Sequence, residues 1–107
     1  MASPRVFAVY VTASGQEEAR RLGQRAVEAR LAACANIFVG VTSIYEWQGQ
    51  LTESEEVVLW LKTTETHLEP LMQLLEQLHS YDCPCIVSFP IERGHEPYLK
   101  WVRAQTG

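Results

Sequence analysis

Four segments of the chain carry the pattern of β-strands, and both faces of these strands are apolar. The segments are Arg5–Thr12, Asn36–Trp47, Glu55–Thr63 and Ile86–Ile91. Successive side chains of a strand point to opposite faces, so Leu59 and Trp60 in the third segment lie on different sides of the sheet. An antiparallel sheet with one face in water would alternate apolar and polar residues. We therefore expect the face that the helices leave open to be covered by another copy of the chain.

A first helix is predicted between the first two strands. Its start is marked by a capping box, Ser14–Glu17, in which the Ser hydroxyl and the Glu carboxylate satisfy backbone amides that the first turn leaves unpaired. Apolar residues then follow at helical spacing, beginning with Ala19 and Leu22. The small apolar run Leu31–Cys34 is expected to close this helix where it packs against a neighbouring element.

A second helix is predicted to begin near Thr64 or Thr66 and to end before Tyr81. If Thr66 is its cap, Pro70 falls in the first turn, where a missing N–H is tolerated. Leucines at helical spacing supply its buried stripe. A short last helix is predicted from about Pro97 to Ala104.

The order of these elements predicts an α+β, ferredoxin-like fold, with a βαββαβ core and a C-terminal helix. In this fold the two core helices cover one face of an antiparallel sheet, and residues 1–107 are expected to form one domain. The segment Gln48–Ser54 joins the second and third strands into a hairpin. Each arm of about ten residues would extend about 33 Å. A compact chain of this length has a radius of gyration of only about 13 Å, so the tips are expected to reach a neighbouring subunit.

Charge and composition narrow the range of partners. The chain has 107 residues, with nine basic and thirteen acidic residues and a net charge of −4. A compact acidic chain without a Lys/Arg cluster is a poor binder of nucleic acid. We see no signal peptide and no stretch long enough to span a bilayer, so no membrane partner is expected. Three cysteines without a secretory context predict reduced thiols and a cytoplasmic protein.

The residues favour no enzyme class. The loop after the first strand, Thr12–Gly15, has neither the paired thiols of a metal chaperone nor the basic cradle of an acylphosphatase-like site. The three histidines, His67, His79 and His95, are scattered, and no catalytic triad can be assembled from them. Trp60 alone does not make an RNA-stacking platform. We therefore predict a protein that is not an enzyme.

Several short strings are not explained by core packing. They are Leu31–Asn36, Ser43–Gly49, Lys62–Thr63, His79–Pro84, Pro90–Ile91 with Gly94, and Tyr98–Trp101. In this order, and over nearly the whole chain, they resemble the divalent-cation tolerance family, CutA. Ser80 stands where that family usually has proline, and Cys85 where it usually has glutamate.

The resemblance implies a cytoplasmic homotrimer of ferredoxin-like subunits in which hairpin arms extend the sheet of a neighbour. It also implies a role in the response or tolerance to copper and other divalent cations, with no obligatory cofactor and no defined reaction. In architecture the family is similar to PII signalling trimers, which bind small effectors in clefts between subunits. An effector-binding signalling trimer is therefore the alternative function.

The best metal-ligand candidates are His79, Cys83 and Cys85, because thiolates and imidazole suit copper and zinc. The same thiols are also consistent with an inert structural role, and His79 with a cation that complements the helix dipole. A third alternative is a metal site on a symmetry axis, with ligands contributed by three subunits.

Two other groups of residues are singled out for binding. Tyr45, Trp47 and Trp60 are expected at the trimer interface, since aromatic anchors dominate interface energetics. Lys62, Tyr98 and Trp101 are candidates for an intersubunit cleft that takes an anionic ligand. A strand-end salt bridge of Lys62 and simple packing of Trp101 are the alternatives.

Overall fold

The computed structural model describes residues 3–107 and contains a four-stranded antiparallel sheet with three helices. The elements are β1 (Val6–Ala13), α1 (Gln16–Glu28), β2 (Cys34–Trp47), β3 (Gln50–Thr64), α2 (Glu65–Leu78), β4 (Ile86–Ile91) and α3 (Glu96–Gln105). The strand order is β2-β3-β1-β4, with every neighbouring pair antiparallel. This is the strand order of a split βαβ unit, and it confirms the predicted α+β, ferredoxin-like fold.

The main core lies between the sheet and the two helices α1 and α2. Leu22 of α1 and Leu71 and Leu75 of α2 are fully buried against Leu59 and Leu61 of β3. These strand positions are two apart, so they share one face of the sheet. Burying a leucine side chain contributes about 1.5–3 kcal/mol, and this layer is therefore the principal source of stability.

Within residues 3–107, α3 packs on one end of the opposite face of the sheet. Leu99 and Val102 of this helix pack with Val6, whose side chain alternates with the core residues of β1. Beyond α3 the face carries an aromatic row. The ring of Trp60 lies 5.0 Å from that of Tyr10 and 5.9 Å from that of Phe89. This face, with its aromatic row, is called the open face below.

The hairpin of β2 and β3 is longer than the sequence predicts. The strands have 14 and 15 residues and pair as far as Trp47 and Gln50, so only Gln48 and Gly49 form the turn. The seven-residue connection predicted for Gln48–Ser54 is wrong, since the ladder continues through those residues. A protein of 51 × 25 × 21 Å results, elongated as expected for a projecting hairpin.

One helix boundary differs from the prediction, and the structure selects between two predicted starts of another helix. α1 ends at Glu28, because Arg30 has a φ of 58°, and the run Leu31–Cys34 leads into β2 instead of closing the helix. α2 has Thr64 at its N-cap position, the first of the two predicted starts, so Pro70 is the sixth helical residue and lies beyond the first turn. Pro70 is exposed, which lets water satisfy the carbonyl that loses its partner.

The hairpin turn makes the first testable prediction. Gln48 and Gly49 have φ angles of 51° and 77°, the left-handed conformation of both central residues in a type I′ turn. Gly49→Ala is expected to lower the free energy of unfolding by about 1 kcal/mol, because a Cβ disfavours this conformation. Gln48→Asn is expected to raise it by roughly 0.5 kcal/mol, because asparagine tolerates the conformation better. Urea unfolding at one protein concentration measures both, and changes of the same sign would contradict the turn geometry.

Candidate functional site

The candidate site is a cavity between the projecting part of the hairpin and the loop that joins α2 to β4. Its volume is about 510 Å³, and it is lined by Thr12, Tyr45, Trp47, Glu56, Tyr81, Asp82, Cys83 and Cys85. A larger depression of about 740 Å³ runs between α1 and the edge strand β2, but its lining has no histidine or cysteine. The smaller cavity therefore contains the side chains that could bind a metal ion, and we call it the thiol cavity.

A buried carboxylate anchors the loop behind this cavity. Glu18 is only 5% exposed, and its Oε1 accepts hydrogen bonds from the backbone N–H and the hydroxyl of Ser14, each at 2.9 Å. Its Oε2 accepts the N–H of Ser80 at 2.7 Å. The capping interaction predicted for Glu17 is thus made by Glu18, one residue later, while Glu17 is exposed.

Hydrogen bonds keep Glu18 ionised in spite of its burial. Burial alone would raise the pKa of this carboxyl, but the hydrogen bonds from Ser14 and Ser80 outweigh it and lower the pKa to about 2. Glu18 is therefore a charged group that connects the start of α1 to Ser80, the second residue after α2.

His79 is buried, and both of its ring nitrogens have partners. Its side chain is 0% exposed, with Nε2 2.8 Å from the carbonyl oxygen of Thr12. Nδ1 accepts the backbone N–H of Tyr81 at 3.1 Å and lies 3.8 Å from Glu18 Oε2. In this arrangement Nε2 carries the proton and donates it to the Thr12 carbonyl. Neither nitrogen is free to bind a metal without breaking a hydrogen bond that holds the loop.

Tyr81 connects the buried network to the hairpin. Its ring packs on that of His79 with the centroids 4.7 Å apart, and its hydroxyl donates to Glu56 Oε2 at 2.8 Å. Burial and the charge of Glu56 raise the pKa of Tyr81 to about 12, so the phenol stays protonated and remains a donor.

Cys83 and Cys85 both line the thiol cavity, and both are exposed and free of disulfides. Desolvation and the charge of Glu56 raise the pKa of Cys85, and a hydrogen bond with Thr12 offsets part of that rise. The structure thus brings together two of the three predicted metal residues and separates them from His79, which faces the buried network. Within residues 3–107 no three His, Cys, Asp or Glu side chains are grouped so as to hold a metal ion.

The predicted cleft residues lie at the far end of the sheet. Lys62 Nζ donates to the Asn36 Oδ1 at 2.6 Å, and Lys62 pairs across the strands with Cys34. The thiol of Cys34 is 3.4 Å from the Tyr98 hydroxyl. The rings of Tyr98 and Trp101 are 5.7 Å apart, and these side chains are about 40% exposed. The structure therefore links these residues through one chain of contacts, without an ion pair to Lys62 among the residues described.

The predicted interface residues are on exposed parts of the sheet. Trp47 is 62% exposed at the hairpin tip, and Tyr45 makes its polar contact with Ser54 at 3.3 Å. Trp60 lies in the middle of the open face, beside Phe89, which is 49% exposed. Large apolar side chains at the tip and on the open face, such as Trp47 and Phe89, are therefore exposed to solvent in a single chain.

Sequence reasoning missed three residues that build the site: Glu18, Glu56 and Tyr81. The spacing of Ser14 and Glu18 was available as a signal, because a carboxylate in the first turn of a helix can accept hydrogen bonds from the residues that precede the helix. No local pattern in the sequence could have identified Glu56 and Tyr81, because these residues meet only when the loop folds over the hairpin.

Comparison with known proteins identifies the relatives of this chain. The family model described as CutA1 divalent ion tolerance protein matches residues 7–105. The divalent-cation tolerance protein CutA of Thermus thermophilus is 44% identical over 99 residues, covering 92% of this chain and 96% of that protein. Human protein CutA is 38% identical over 101 residues, and the match covers 94% of this chain but 56% of the human protein. The crystal structure of CutA1 from Ehrlichia chaffeensis superposes with a TM-score of 0.95 at 28% identity, over 99% of both chains.

Proposed function

This chain belongs to the CutA1 divalent ion tolerance family, and from that membership we propose that it is a non-enzymatic, cytoplasmic homotrimer that binds copper-type divalent cations. The observation that carries the proposal is the thiol cavity. It places two free thiols and the carboxylate of Glu56 around one space that solvent can enter. Sulfur and oxygen donors of this kind suit copper and zinc.

The cation is cargo in this proposal, and the chain's own residues present the ligands. Cys83 and Cys85 would supply the sulfur donors. His79 acts as a positioning residue, because its Nε2–H donates to Thr12 and its Nδ1 accepts from Tyr81. This replaces the direct ligand role that the sequence suggests for His79.

Assembly into a trimer is supported by the apolar surfaces that one chain leaves uncovered. The open face carries Trp60 and Phe89, and the hairpin tip carries Trp47 and Leu51, of which Leu51 is 83% exposed. Burying such side chains would contribute about 1.5–3 kcal/mol each, which favours association through these surfaces.

No helix within residues 3–107 is both long and apolar enough to cross a bilayer. The exposed free thiols favour a reducing compartment.

A second function, an effector-binding signalling trimer, is favoured by one observation. The ammonium of Lys62 is bonded to the neutral Asn36 side chain. Lys62 lies opposite Cys34 in the neighbouring strand, and the thiol of Cys34 is 3.4 Å from the hydroxyl of Tyr98, which packs on Trp101. A cation that forms no ion pair with a carboxylate among residues 3–107, close to aromatic rings, suits an anionic, planar ligand.

Native mass spectrometry of protein purified without a chelator and then offered Cu(II) or Zn(II) tests the proposal. We expect a mass three times the 12.1 kDa of one chain, with metal adducts that survive buffer exchange. A trimer that takes up neither cation would shift the assignment to the effector-binding function. A species of 12.1 kDa at low micromolar concentration would contradict the trimer.

A further inference from the structure

Aromatic side chains from two separate elements line the thiol cavity. Tyr45 and Trp47 reach it from β2, and Tyr81 reaches it from the loop after α2. Tyr45 and Trp47 are two residues apart on one strand, so their rings lie on the same face of the hairpin. Tyr81 is held by its hydroxyl, which donates to Glu56 Oε2 at 2.8 Å, and by its ring contact with His79. Three rings therefore border one space of about 510 Å³, a volume typical of small-molecule sites.

The charged side chains of this cavity are acidic. Glu56 and Asp82 line it, and among residues 3–107 its lining contains no lysine, arginine or histidine. Neither carboxylate forms an ion pair within that range. Burial and, after it, the charge of Glu56 raise the pKa of Tyr81 to about 12, and the same two causes raise the pKa of Cys85. A concave space lined by charges of one sign concentrates counter-ions, so this cavity attracts cations.

Aromatic walls together with carboxylates favour an organic cation. The face of an aromatic ring attracts a cation through its quadrupole, and proteins use cages of such rings to bind alkylated ammonium groups. A primary ammonium has three N–H donors that each need an acceptor, and Glu56 Oε2 already accepts the Tyr81 hydroxyl. Alkylation removes these donors, so an alkylated ammonium loses fewer hydrogen bonds to water when it enters an aromatic-lined space.

We propose that the thiol cavity binds a small alkylated ammonium ion, one per chain. The carboxylates of Glu56 and Asp82 balance its charge, and the rings of Tyr45, Trp47 and Tyr81 contact its alkyl groups. Binding is reversible and involves no covalent step. This inference goes beyond the proposed metal binding and does not depend on it, because it uses neither thiol as a donor.

Choline, a trimethylated ammonium ion, is the probe for this site. It is titrated by calorimetry into the purified protein in metal-free buffer, and we expect one choline per chain with an affinity that falls as salt is added. The neutral analogue 3,3-dimethylbutan-1-ol has a carbon in place of the nitrogen and almost the same shape. It should bind at least about tenfold more weakly, since it lacks the charge that the rings and carboxylates recognise. The N-methyl proton resonances of bound choline should shift upfield, because these protons lie over ring faces.

Glu56→Gln isolates the contribution of charge from that of shape. The glutamine carbonyl can still accept the Tyr81 hydroxyl, so the wall of the cavity is kept while one charge is removed. Choline binding should weaken by about tenfold. Glu53→Gln is the matched control, because Glu53 is exposed three residues earlier on β3 and therefore points to the opposite face of the hairpin. Its effect on choline binding should stay below about twofold, since solvent screens a charge at that position.

Three results would overturn the ammonium site. The first is equal binding of choline and its neutral analogue, which would make the cavity a simple apolar pocket. The second is an equal effect of Glu56→Gln and Glu53→Gln, which would reduce the attraction to net charge. The third is no choline binding by the purified protein. Binding seen only in Phe89→Glu, a variant expected to be monomeric, would then assign the cavity to a side chain of a neighbouring copy. Unchanged thermal unfolding of Glu56→Gln ensures that a loss of binding is not a loss of fold.

Discussion

Replacing Glu18 by glutamine is expected to lower the free energy of unfolding by about 3 kcal/mol at pH 7. The carboxylate accepts three hydrogen bonds, from Ser14 N–H, the Ser14 hydroxyl and Ser80 N–H, and it is almost fully buried. Within residues 3–107 no buried side-chain nitrogen or oxygen lacks a partner, so the network has no spare acceptor. Glutamine offers one acceptor oxygen, and its amide group would face the donor on Ser80.

Glu17→Gln is the matched control, because it makes the same chemical change one residue earlier on an exposed position. Its effect should stay within about 0.5 kcal/mol. Urea unfolding of both variants at a fixed protein concentration measures the difference, since assembly makes stability depend on concentration. Equal effects of the two substitutions would contradict the assignment of the capping role to Glu18, and a larger effect of Glu17→Gln would support the capping box that the sequence suggests.

The same carboxylate makes stability depend on pH. The pKa of Glu18 is lowered from 4.5 to about 2 in the folded protein. A depressed pKa means that the unfolded chain binds the proton first, so the contribution of Glu18 is complete above pH 4.5 and is lost as the pH falls towards 2. The stability difference between the unmodified protein and Glu18→Gln should therefore shrink over this interval. A difference that stays constant from pH 5 to about 2 would contradict an ionised, hydrogen-bonded Glu18.

Phe89→Glu is expected to convert the proposed trimer into a monomer at low micromolar concentration. Phe89 lies in the open face beside Trp60 and is half exposed in a single chain, so a carboxylate there is tolerated in the monomer. In the assembly it would be a buried charge without a partner, which costs several kcal/mol and weakens association by more than about 100-fold. Sedimentation or native mass spectrometry reports the change directly.

Gln73→Glu on the exposed side of α2 serves as the control, since it adds the same charge away from the open face. Trp47→Ala provides a second test at the hairpin tip, where no core packing is disturbed, and it should weaken the trimer as well. Circular dichroism shows whether each variant is folded. A folded Phe89→Glu protein that remains trimeric would rule out the open face as the interface.

Much of the fold follows from local patterns in the sequence. Alternating apolar residues at Val9, Val11, Leu59 and Leu61 are enough to identify strands and the face that meets the helices. The order of strands and helices then selects the ferredoxin-like arrangement, because few topologies are compatible with it. The short strings between Leu31 and Trp101 also point to the family, because each string is contiguous in the sequence and can be recognised without the fold.

The ends of the helices and strands, and the contacts between distant residues, are harder to predict from the sequence. The sequence predicts a seven-residue loop that includes Gln48 and Gly49, because the polar residues after the turn resemble a connection although they continue the ladder. The sequence also leaves the start of α2 open between Thr64 and Thr66, and the structure selects Thr64, which pairs with Val6 in the sheet. Both boundaries depend on strand pairing, which no local signal specifies.

Local patterns along the chain specify the set of elements, their order, the apolar excess of the sheet, and the presence of thiols and a histidine near the last strand. Which of these residues share a site depends on how the elements pack in the folded chain. It places Cys83 and Cys85 in one cavity under the hairpin and turns His79 towards Glu18 and Thr12. The physical reason is that periodicity specifies which face of an element a residue occupies, whereas a hydrogen bond depends on how separate elements approach one another. The contacts of Ser80 with Glu18 and of Tyr81 with Glu56 span 62 and 25 residues of sequence, and no local pattern encodes them.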